Sequence, residues 1–343
     1  MSDQIKQAFM IYSSKKNYSF SIVIPTYNEQ DNIANCLESI LNQNYDRRLV
    51  DVVIVDGQSS DNTIFKIKEY QQKFSNISFL ENPVRKTPTS LNIGIKQAKG
   101  EIIVILGAHA SLDPDFIYFN NKYLNEMNLK VTGGTQINIG FNFVQKAIAL
   151  AMENPFGMGS APYRWSKKEQ FVDTVVYAAY KRELFDEIGY FEENFSISED
   201  AELNWRIRKA GHKIFFSPNI KSYYHPRRTV PKFIQQMFRY GILRVHMFKK
   251  HKSAVKITHL VPPLFVFMLI TLLVLTLASF LNPIVILAVL LSYFLVNLLS
   301  VLLKTTKKNL HFIPLISFLI FLLHFSWGLG FIVGLFLPRS KRW

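Results

Sequence analysis

No aspartate or glutamate occurs between Ser253 and Trp343, and only seven of the forty lysines and arginines fall there. A stretch so poor in charge is not the surface of a soluble domain. The hydrophobic surplus belongs to this C-terminal quarter, and the front reads as an ordinary soluble domain with a net charge of about +8. Cysteine is almost missing as well. The single Cys36 excludes an intramolecular disulfide and fits a reducing compartment. The first residues, Met1 to Ser19, lack the apolar core of a secretory signal, so the front domain is expected in the cytosol. Internal repeats and low-complexity segments are absent too, which excludes a solenoid or an array.

What is present is strongly basic, with a net charge of +15. Such a surplus raises nucleic acid as a partner, but its placement points to membrane lipid. Lys249, Lys250, Lys252 and Lys256 crowd just before the apolar region, and Lys304, Lys307 and Lys308 interrupt it. Those are the positions where anionic lipid attracts cations and where the positive-inside bias acts. Between Lys256 and Lys304 lie 47 residues without a formal charge. As helix they span about 70 Å, enough for two crossings. A break at Asn282-Pro283 gives expected spans over 257–281 and 283–303, with a third over 310–337. Three crossings that start in the cytosol would leave Arg339, Lys341 and Arg342 outside, against the bias. Either the bias fails here, or the last segment is re-entrant or lies at the interface.

The front alternates short apolar runs with amphipathic stretches. Strands are expected at 20–24, 50–55, 77–80 and 101–106, and helices at 31–41, from about 62 to 74, and at 89–98. Alternation of this kind predicts an α/β domain with a mostly parallel sheet and ligands at the carboxyl ends of its strands. Three polar sets fall there: Pro25-Thr-Tyr-Asn-Glu29, Asp56-Gly-Gln-Ser-Ser-Asp61 and Gly107-Ala-His109. Each alone reads equally as turn and cap chemistry, Asp-Gly favouring a turn and Asp61 or Asn62 a helix cap. Three at one end of one sheet favour a site.

Ile-Pro-Thr-Tyr-Asn-Glu (24–29), Val-Asp-Gly-Gln-Ser-Ser-Asp-Asn-Thr (55–63) and Ser-Glu-Asp-Ala-Glu-Leu-Asn-Trp-Arg (198–206) together resemble the family 2 glycosyltransferases of GT-A fold. The resemblance covers about residues 19–245, and is greatest to the membrane-bound transferases of succinoglycan-type exopolysaccharide biosynthesis. It implies that Pro25, Tyr27 and Glu29 line a nucleotide pocket, and that Asp56 accepts from a uracil-type base, the donor a buried carboxylate requires. Lys86 would lie near the nucleotide or its phosphates, although a solvated surface lysine is the alternative.

In the family, Asp-x-Asp or Asp-x-His holds Mn2+ or Mg2+ against the diphosphate. The matching triplet here is Gly107-Ala108-His109, so the first carboxylate is missing. His109 remains as a ligand suited to Mn2+, with His225 the candidate second ligand and Asp113 a weaker one. The resemblance makes Asp200, beside Glu199, the base that takes the acceptor hydroxyl's proton in an inverting displacement. Ser196-x-x-Glu199 is also a capping box, which would fix Asp200 in place. Gln236-Met-Phe-Arg239-Tyr240 resembles the Gln-x-x-Arg-Trp element near the acceptor and diphosphate. Arg239 would then pair with the leaving diphosphate; alternatively this stretch is a basic amphipathic helix whose Lys232, Arg239, Arg244 and Lys249 meet lipid.

The expected organisation is a cytosolic GT-A domain over 1–225, a membrane-surface linker over 226–256, and about three membrane segments over 257–338. The expected activity is transfer of a sugar from a nucleotide donor, UDP-linked by resemblance, to a polyprenyl-diphosphate-linked saccharide at the cytoplasmic face of the inner membrane. The alternatives are transfer directly to polyprenyl phosphate and a catalytically degenerate membrane subunit, for which Gly107 speaks.

Overall fold

The computed structural model describes residues 16–193, 195, 199–254 and 256–337. The chain divides into two compact units, one of Met1–Thr135, Lys167–Glu193 and Leu203–Ser222, the other of Gln136–Ser166, Asn194–Glu202 and Tyr223–Trp343. The two earlier segments, 136–166 and 194–202, group with the C-terminal helices, because an apolar helix in the first of them supplies core to those helices.

In the first unit β1 (Phe20–Thr26), β2 (Val50–Asp56), β3 (Ile77–Glu81) and β4 (Ile102–Ile105) run parallel in the order β3-β2-β1-β4. The sheet continues through β8 (Ala179–Lys181), antiparallel to β4, then β6 (Val131–Asn138), β9 (Ile214–Tyr224) and β5 (Ala110–Leu112), with β7 (Gln170–Val172) also on β9. The four parallel strands are continuous apolar runs because helices cover both faces. Phe20, Ile22, Ile24, Val52 and Ile54 pack beneath α1 (Ile33–Leu41) through Ile33, Leu37 and Ile40, and Ile67 of α2 (Thr63–Lys73) joins them. Val23 and Val55 face α3 (Thr87–Gln97), whose Gly94 permits the approach: a Cβ there would lie 2.4 Å from Val23 Cγ1. Further along are α4 (Phe116–Glu126), α5 (Phe143–Met152) and α6 (Glu183–Ile188).

In register, Thr26 stands beside Asp56 and Asp56 beside Glu81, so the carboxyl ends of β1, β2 and β3 are level. The loops that leave them carry the expected polar sets. Strand β1 extends through Pro25 to Thr26 instead of stopping at Pro25, since its partners continue past that point.

The second unit holds α5, the head of α7 (Glu199–Lys209), α8 (Val230–Lys250), α9 (Ile257–Leu277), α10 (Ile284–Lys304) and α11 (Ile313–Phe336). Three stretches, Ile257–Leu277, Ile284–Lys304 and Lys307–Phe336, are long and apolar enough to cross a membrane. The third opens with a 3-10 helix, Lys307–Phe312, so α11 starts three residues later than the sequence suggests. Its core combines Ala147, Ile148, Ala151 and Met152 of α5 with Phe233 and Met237 of α8 and Ile316, Leu319, Ile320 and Leu323 of α11. Tyr224, at the end of β9, joins the same cluster.

Candidate active site

Asp56 is fully buried at the end of β2. A bare carboxylate there would be costly, but the chain satisfies it three residues on: both oxygens accept from Ser59, one from the backbone N–H at 2.7 Å and the other from the hydroxyl at 2.6 Å. Ser59 thus supplies the donors that a buried carboxylate needs, before any contact with a base. Ser59 Oγ in turn accepts from Asn28 N–H at 2.8 Å, and Asn28 Oδ1 accepts from Ser60 N–H at 2.8 Å, so the loops after β1 and β2 are stitched together.

Three residues in the loops after β1, β2 and β3, Asn28, Gln58 and Arg85, have φ of 52°, 61° and 58°. Gln and Arg rarely adopt this left-handed conformation, and such strain gathers at binding sites. Arg85 donates to Gln58 Oε1 at 3.0 Å, which ties the strained residues to each other. No sequence signal marked Gln58 or Arg85, because glycine is the usual sign of positive φ. The Tyr27 ring is 50% exposed next to this loop pair, and Pro25 lies within β1, one residue before its end. Lys86 caps α3 and donates to the Glu193 carbonyl at 3.4 Å. The Glu193 carboxylate accepts from Thr89 Oγ1 at 3.0 Å and Asn92 Nδ2 at 3.2 Å.

Removing the Ser59 hydroxyl should leave one Asp56 oxygen without a side-chain donor in a buried place. Ser59→Ala is expected to cost about 1–3 kcal/mol of stability and to weaken nucleotide binding. Thermal unfolding and nucleotide titration check this, and an unchanged melting point with unchanged affinity would remove Ser59 from the site.

Glu29 does not stand alone in the nucleotide loop. Its Oε1 lies 3.0 Å from His109 Nδ1 across 80 residues of chain, and its other oxygen accepts from Asn32 Nδ2 at 2.7 Å. The pair fixes the imidazole ring, the arrangement by which carboxylates orient metal-ligating histidines. Gly107 makes room for it. A Cβ at 107 would meet His109 Cε1 at 3.3 Å and Nε2 at 3.5 Å, so the imidazole occupies the space beside Gly107.

No three His, Cys, Asp or Glu side chains converge as metal ligands among the described residues. A divalent cation takes about four to eight ligands. One oriented imidazole does not make such a site, and it would fit only a cation whose other ligands come from a diphosphate and water. His225 Nδ1 lies 3.3 Å from the Ile139 carbonyl, and its ring is 4.8 Å from that of Phe141, both in the second unit.

The second unit carries the carboxylate pair. Glu199 and Asp200 open α7 and are partly buried. The capping-box serine, Ser196, and Ser198 lie outside the described residues. Burial first, then the neighbouring Asp200 charge, pushes Glu199 up to about 8. Burial also raises Asp200, opposed by the Ala201 N–H, which donates to its Oδ1 at 2.7 Å, and by the positive charges of Arg244 and Arg164. Both carboxyls are thus pushed toward their protonated forms by burial, and the Asp200 ionised form is the one that arginine charge and an N–H donor support.

Arg164 is 7% exposed and donates from Nη1 to Asn138 Oδ1 at 3.2 Å, while Asn138 N–H donates to Glu153 at 2.8 Å. Gln236 is buried and donates to the Tyr240 hydroxyl at 3.0 Å, whereas Arg239 is exposed. Two of the lysine and arginine positions read as facing lipid turn inward. Arg244 sits where its charge acts on Asp200, and Lys249 donates to the carbonyls of Gly334, Leu335 and Leu337 at 2.9–3.0 Å. Spacing along a helix shows its amphipathicity but not which polar residues find protein partners from distant sequence.

The profile of glycosyl transferase family 2 matches residues 21–189. The dolichyl N-acetyl-alpha-D-glucosaminyl phosphate 3-beta-D-2,3-diacetamido-2,3-dideoxy-beta-D-glucuronosyltransferase of Methanococcus voltae is 34% identical over 328 residues, covering 93% of this chain and 98% of that one. The chain belongs to glycosyl transferase family 2. The succinoglycan biosynthesis protein ExoA of Rhizobium meliloti (strain 1021) is 29% identical to the transferase over 248 residues, 70% of this chain and 73% of that one. Among solved structures, the mannosyltransferase PcManGT from Pyrobaculum calidifontis, in complex with GDP-Man and Mn2+, superposes with a TM-score of 0.61 at 19% identity. The superposition covers 90% of this chain and 86% of that one. The transferase thus has the GT-A fold, followed by apolar helices that are candidate membrane spans.

Proposed function

We propose that this glycosyltransferase moves a sugar, with inversion, from a nucleotide donor to a polyprenyl-linked saccharide at the cytoplasmic face of a membrane. The observation that carries the reading is the carboxylate pair at the head of α7, in which Arg244 and the Ala201 N–H favour the ionised form of Asp200. An inverting transfer needs one carboxylate to accept the acceptor hydroxyl's proton as that oxygen attacks the anomeric carbon and the nucleoside diphosphate leaves. Asp200 takes that proton. Asp56, Ser59 and Tyr27 bind the nucleotide base, and Lys86 lies on its phosphate side. Gln236 positions the acceptor side through its contact with Tyr240, and the exposed Arg239 offers a guanidinium to a diphosphate or a lipid phosphate.

The solved mannosyltransferase holds Mn2+ with its nucleotide sugar. A divalent cation bound with the donor here would neutralise charge on the leaving diphosphate. His109, oriented by Glu29, is the residue that would meet it, with His225 as second candidate ligand. The Methanococcus voltae relative's name specifies a dolichyl-phosphate-linked sugar as acceptor, which supports a lipid-borne saccharide. Membrane lipid as partner and a multi-pass place in the cytoplasmic membrane are supported by the apolar helices.

Purified transferase in detergent, given a panel of UDP- and GDP-sugars, is expected to extend short polyprenyl-phosphate- or polyprenyl-diphosphate-linked saccharides. It should leave bare polyprenyl phosphate unmodified. Glycosylation of bare polyprenyl phosphate alone would establish the direct-transfer alternative. Neither transfer nor donor hydrolysis with any donor, with or without Mn2+, would favour the degenerate subunit.

A further inference from the structure

The three apolar helices are not equally wrapped by protein. In α9 and α10, 11% of the most apolar window is buried, whereas in the third candidate stretch half of it is. The partner that buries α11 is α8, which lies beside it in the same direction. The approach is backbone to backbone: a Cβ on Gly330 would fall 2.0 Å from the Phe238 carbonyl oxygen, and one on Gly241 2.0 Å from that of Trp327. Farther on, a Cβ on Gly334 would reach Ile242 Cα at 3.0 Å, and Lys249 donates to the last carbonyls of α11. The contact therefore follows α8 almost from end to end.

Helix α8 cannot enter a bilayer. It carries Lys232, Arg239, Arg244, Lys249 and Lys250, and each arginine or lysine at the centre of a membrane costs about 2.5–3.5 kcal/mol on the insertion scale. If α11 crossed, α8 would be carried across with it.

The anchor points of α11 agree. At its start, Phe312 and Ile316 pack with Tyr224, the last residue of β9, and with Phe233. In its middle, His324 Nε2 lies 2.9 Å from the carbonyl of Phe156. At its end, Lys249 caps it, and the next residues, Lys250 and His251, reach Glu202 of α7 at 3.6 and 3.0 Å. Glu202 stands two residues after Asp200, on the helix that opens with the carboxylate pair. The start and end of α11 are thus held by α8 and by the helix that opens with the carboxylate pair, while in its middle His324 Nδ1 also lies 2.9 Å from the Tyr293 hydroxyl of α10.

We propose that α11 does not cross the membrane. The α8–α11 pair lies in the headgroup region of the catalytic-side leaflet, and α9 and α10 alone cross, as a hairpin turning at Ser279–Pro283. The outer face of the pair suits that place. Phe318, Leu335 and Phe336 are exposed, as are Lys232 and Arg239, and an apolar groove of about 670 Å³ bordered by Lys232 opens between Ile234, Phe238, Leu322, Phe325 and Leu329. Acyl chains cover these surfaces and lipid phosphates meet the cations. An even number of crossings also returns Arg339, Lys341 and Arg342 to the catalytic side, as the positive-inside bias requires.

Cysteine labelling of the full chain in native membranes tests this. Cys36 is buried, and burial raises its thiol pKa, so the wild type is an unlabelled background. Single cysteines are introduced by Ser279→Cys in the hairpin turn, Ser340→Cys beyond the described residues, and Lys73→Cys on the exposed end of α2 as the catalytic-side reference. With a membrane-impermeant maleimide, Ser340→Cys should label with Lys73→Cys in inverted vesicles. Ser279→Cys should label only in right-side-out vesicles, each contrast being at least about tenfold. Ser340→Cys labelling together with Ser279→Cys would overturn the proposal, and so would Ser279→Cys labelling on the Lys73 side. A fluorescent-protein fusion after Trp343 reads the same end without cysteines: it should fluoresce like a cytosolic reporter, and a dark fusion at normal protein level would also overturn it.

Discussion

Asp200→Asn should abolish transfer while leaving donor affinity as it is, and Glu199→Gln should leave most of the activity at pH 7. The two carboxylates are adjacent in sequence, but arginine charge favours the ionised form of Asp200, whereas the Asp200 charge disfavours that of Glu199. Glu199, raised to about 8, already carries a proton at neutral pH, so an amide changes little there. Burial raises Asp200 as well, but the Ala201 N–H and Arg244 favour its ionised form. Loss of a positioned general base costs about 10²–10⁴-fold in kcat.

The pH dependence follows with a definite sign. Asp200 must be ionised to act, so activity falls as pH drops through its raised pKa, in the wild type and in Glu199→Gln alike. The second ionisation, near pH 8 in the wild type, should disappear from the Glu199→Gln profile. Stability moves with it: the folded pKa of Glu199 lies above its unfolded value, so folding favours its protonated form. That contribution is complete below the ordinary glutamate pKa and is lost as pH rises toward 8. The melting point of Glu199→Gln should therefore gain on the wild type between pH 5 and pH 8. Equal inactivation of both variants at pH 7, or an active Asp200→Asn, would refute the assignment.

The parallel strands were readable because they are buried on both faces and appear as unbroken apolar runs, and the polar sets were readable because such a sheet has one working end. What joins those sets was not. Glu29 meets His109 across 80 residues, and Lys249 meets the α11 carbonyls across 85 to 88, distances over which no periodicity carries information. Asp56 shows a subtler limit. Its burial was anticipated, but its donor was sought in a ligand while Ser59, three residues on, already held both oxygens. The strained backbone at Gln58 and Arg85 was hidden because only glycine and asparagine announce positive φ. The last apolar segment illustrates the same point at larger scale. Its composition equals that of a span, and only its contact with a basic helix separates the two.

That contact should be the most sensitive place in the helical unit. Gly330→Ala adds a single methyl group, but the obstacle is the Phe238 carbonyl oxygen at 2.0 Å and its carbon at 2.8 Å, and backbone cannot rotate aside as a side chain would. Overpacking a well-filled site costs about 1–3 kcal/mol, occasionally more, and two abutting backbones belong at the upper end. Leu335→Ala, on an exposed position of the same helix, should change stability by less than about 0.5 kcal/mol. The damage should also reach chemistry, because α8 carries Arg244, whose charge opposes the rise of Asp200. If Gly330→Ala pushes α8 away, the acid limb of the pH–rate profile should move to higher pH, since Asp200 then loses cationic support. Gly241→Ala strikes the same contact from the other helix, against the Trp327 carbonyl, so the double variant should lose less than the two single losses added. Thermal unfolding in detergent and pH–rate profiles read these effects. A Gly330→Ala protein with a wild-type melting point would mean that the two helices do not touch as closely as their glycines allow.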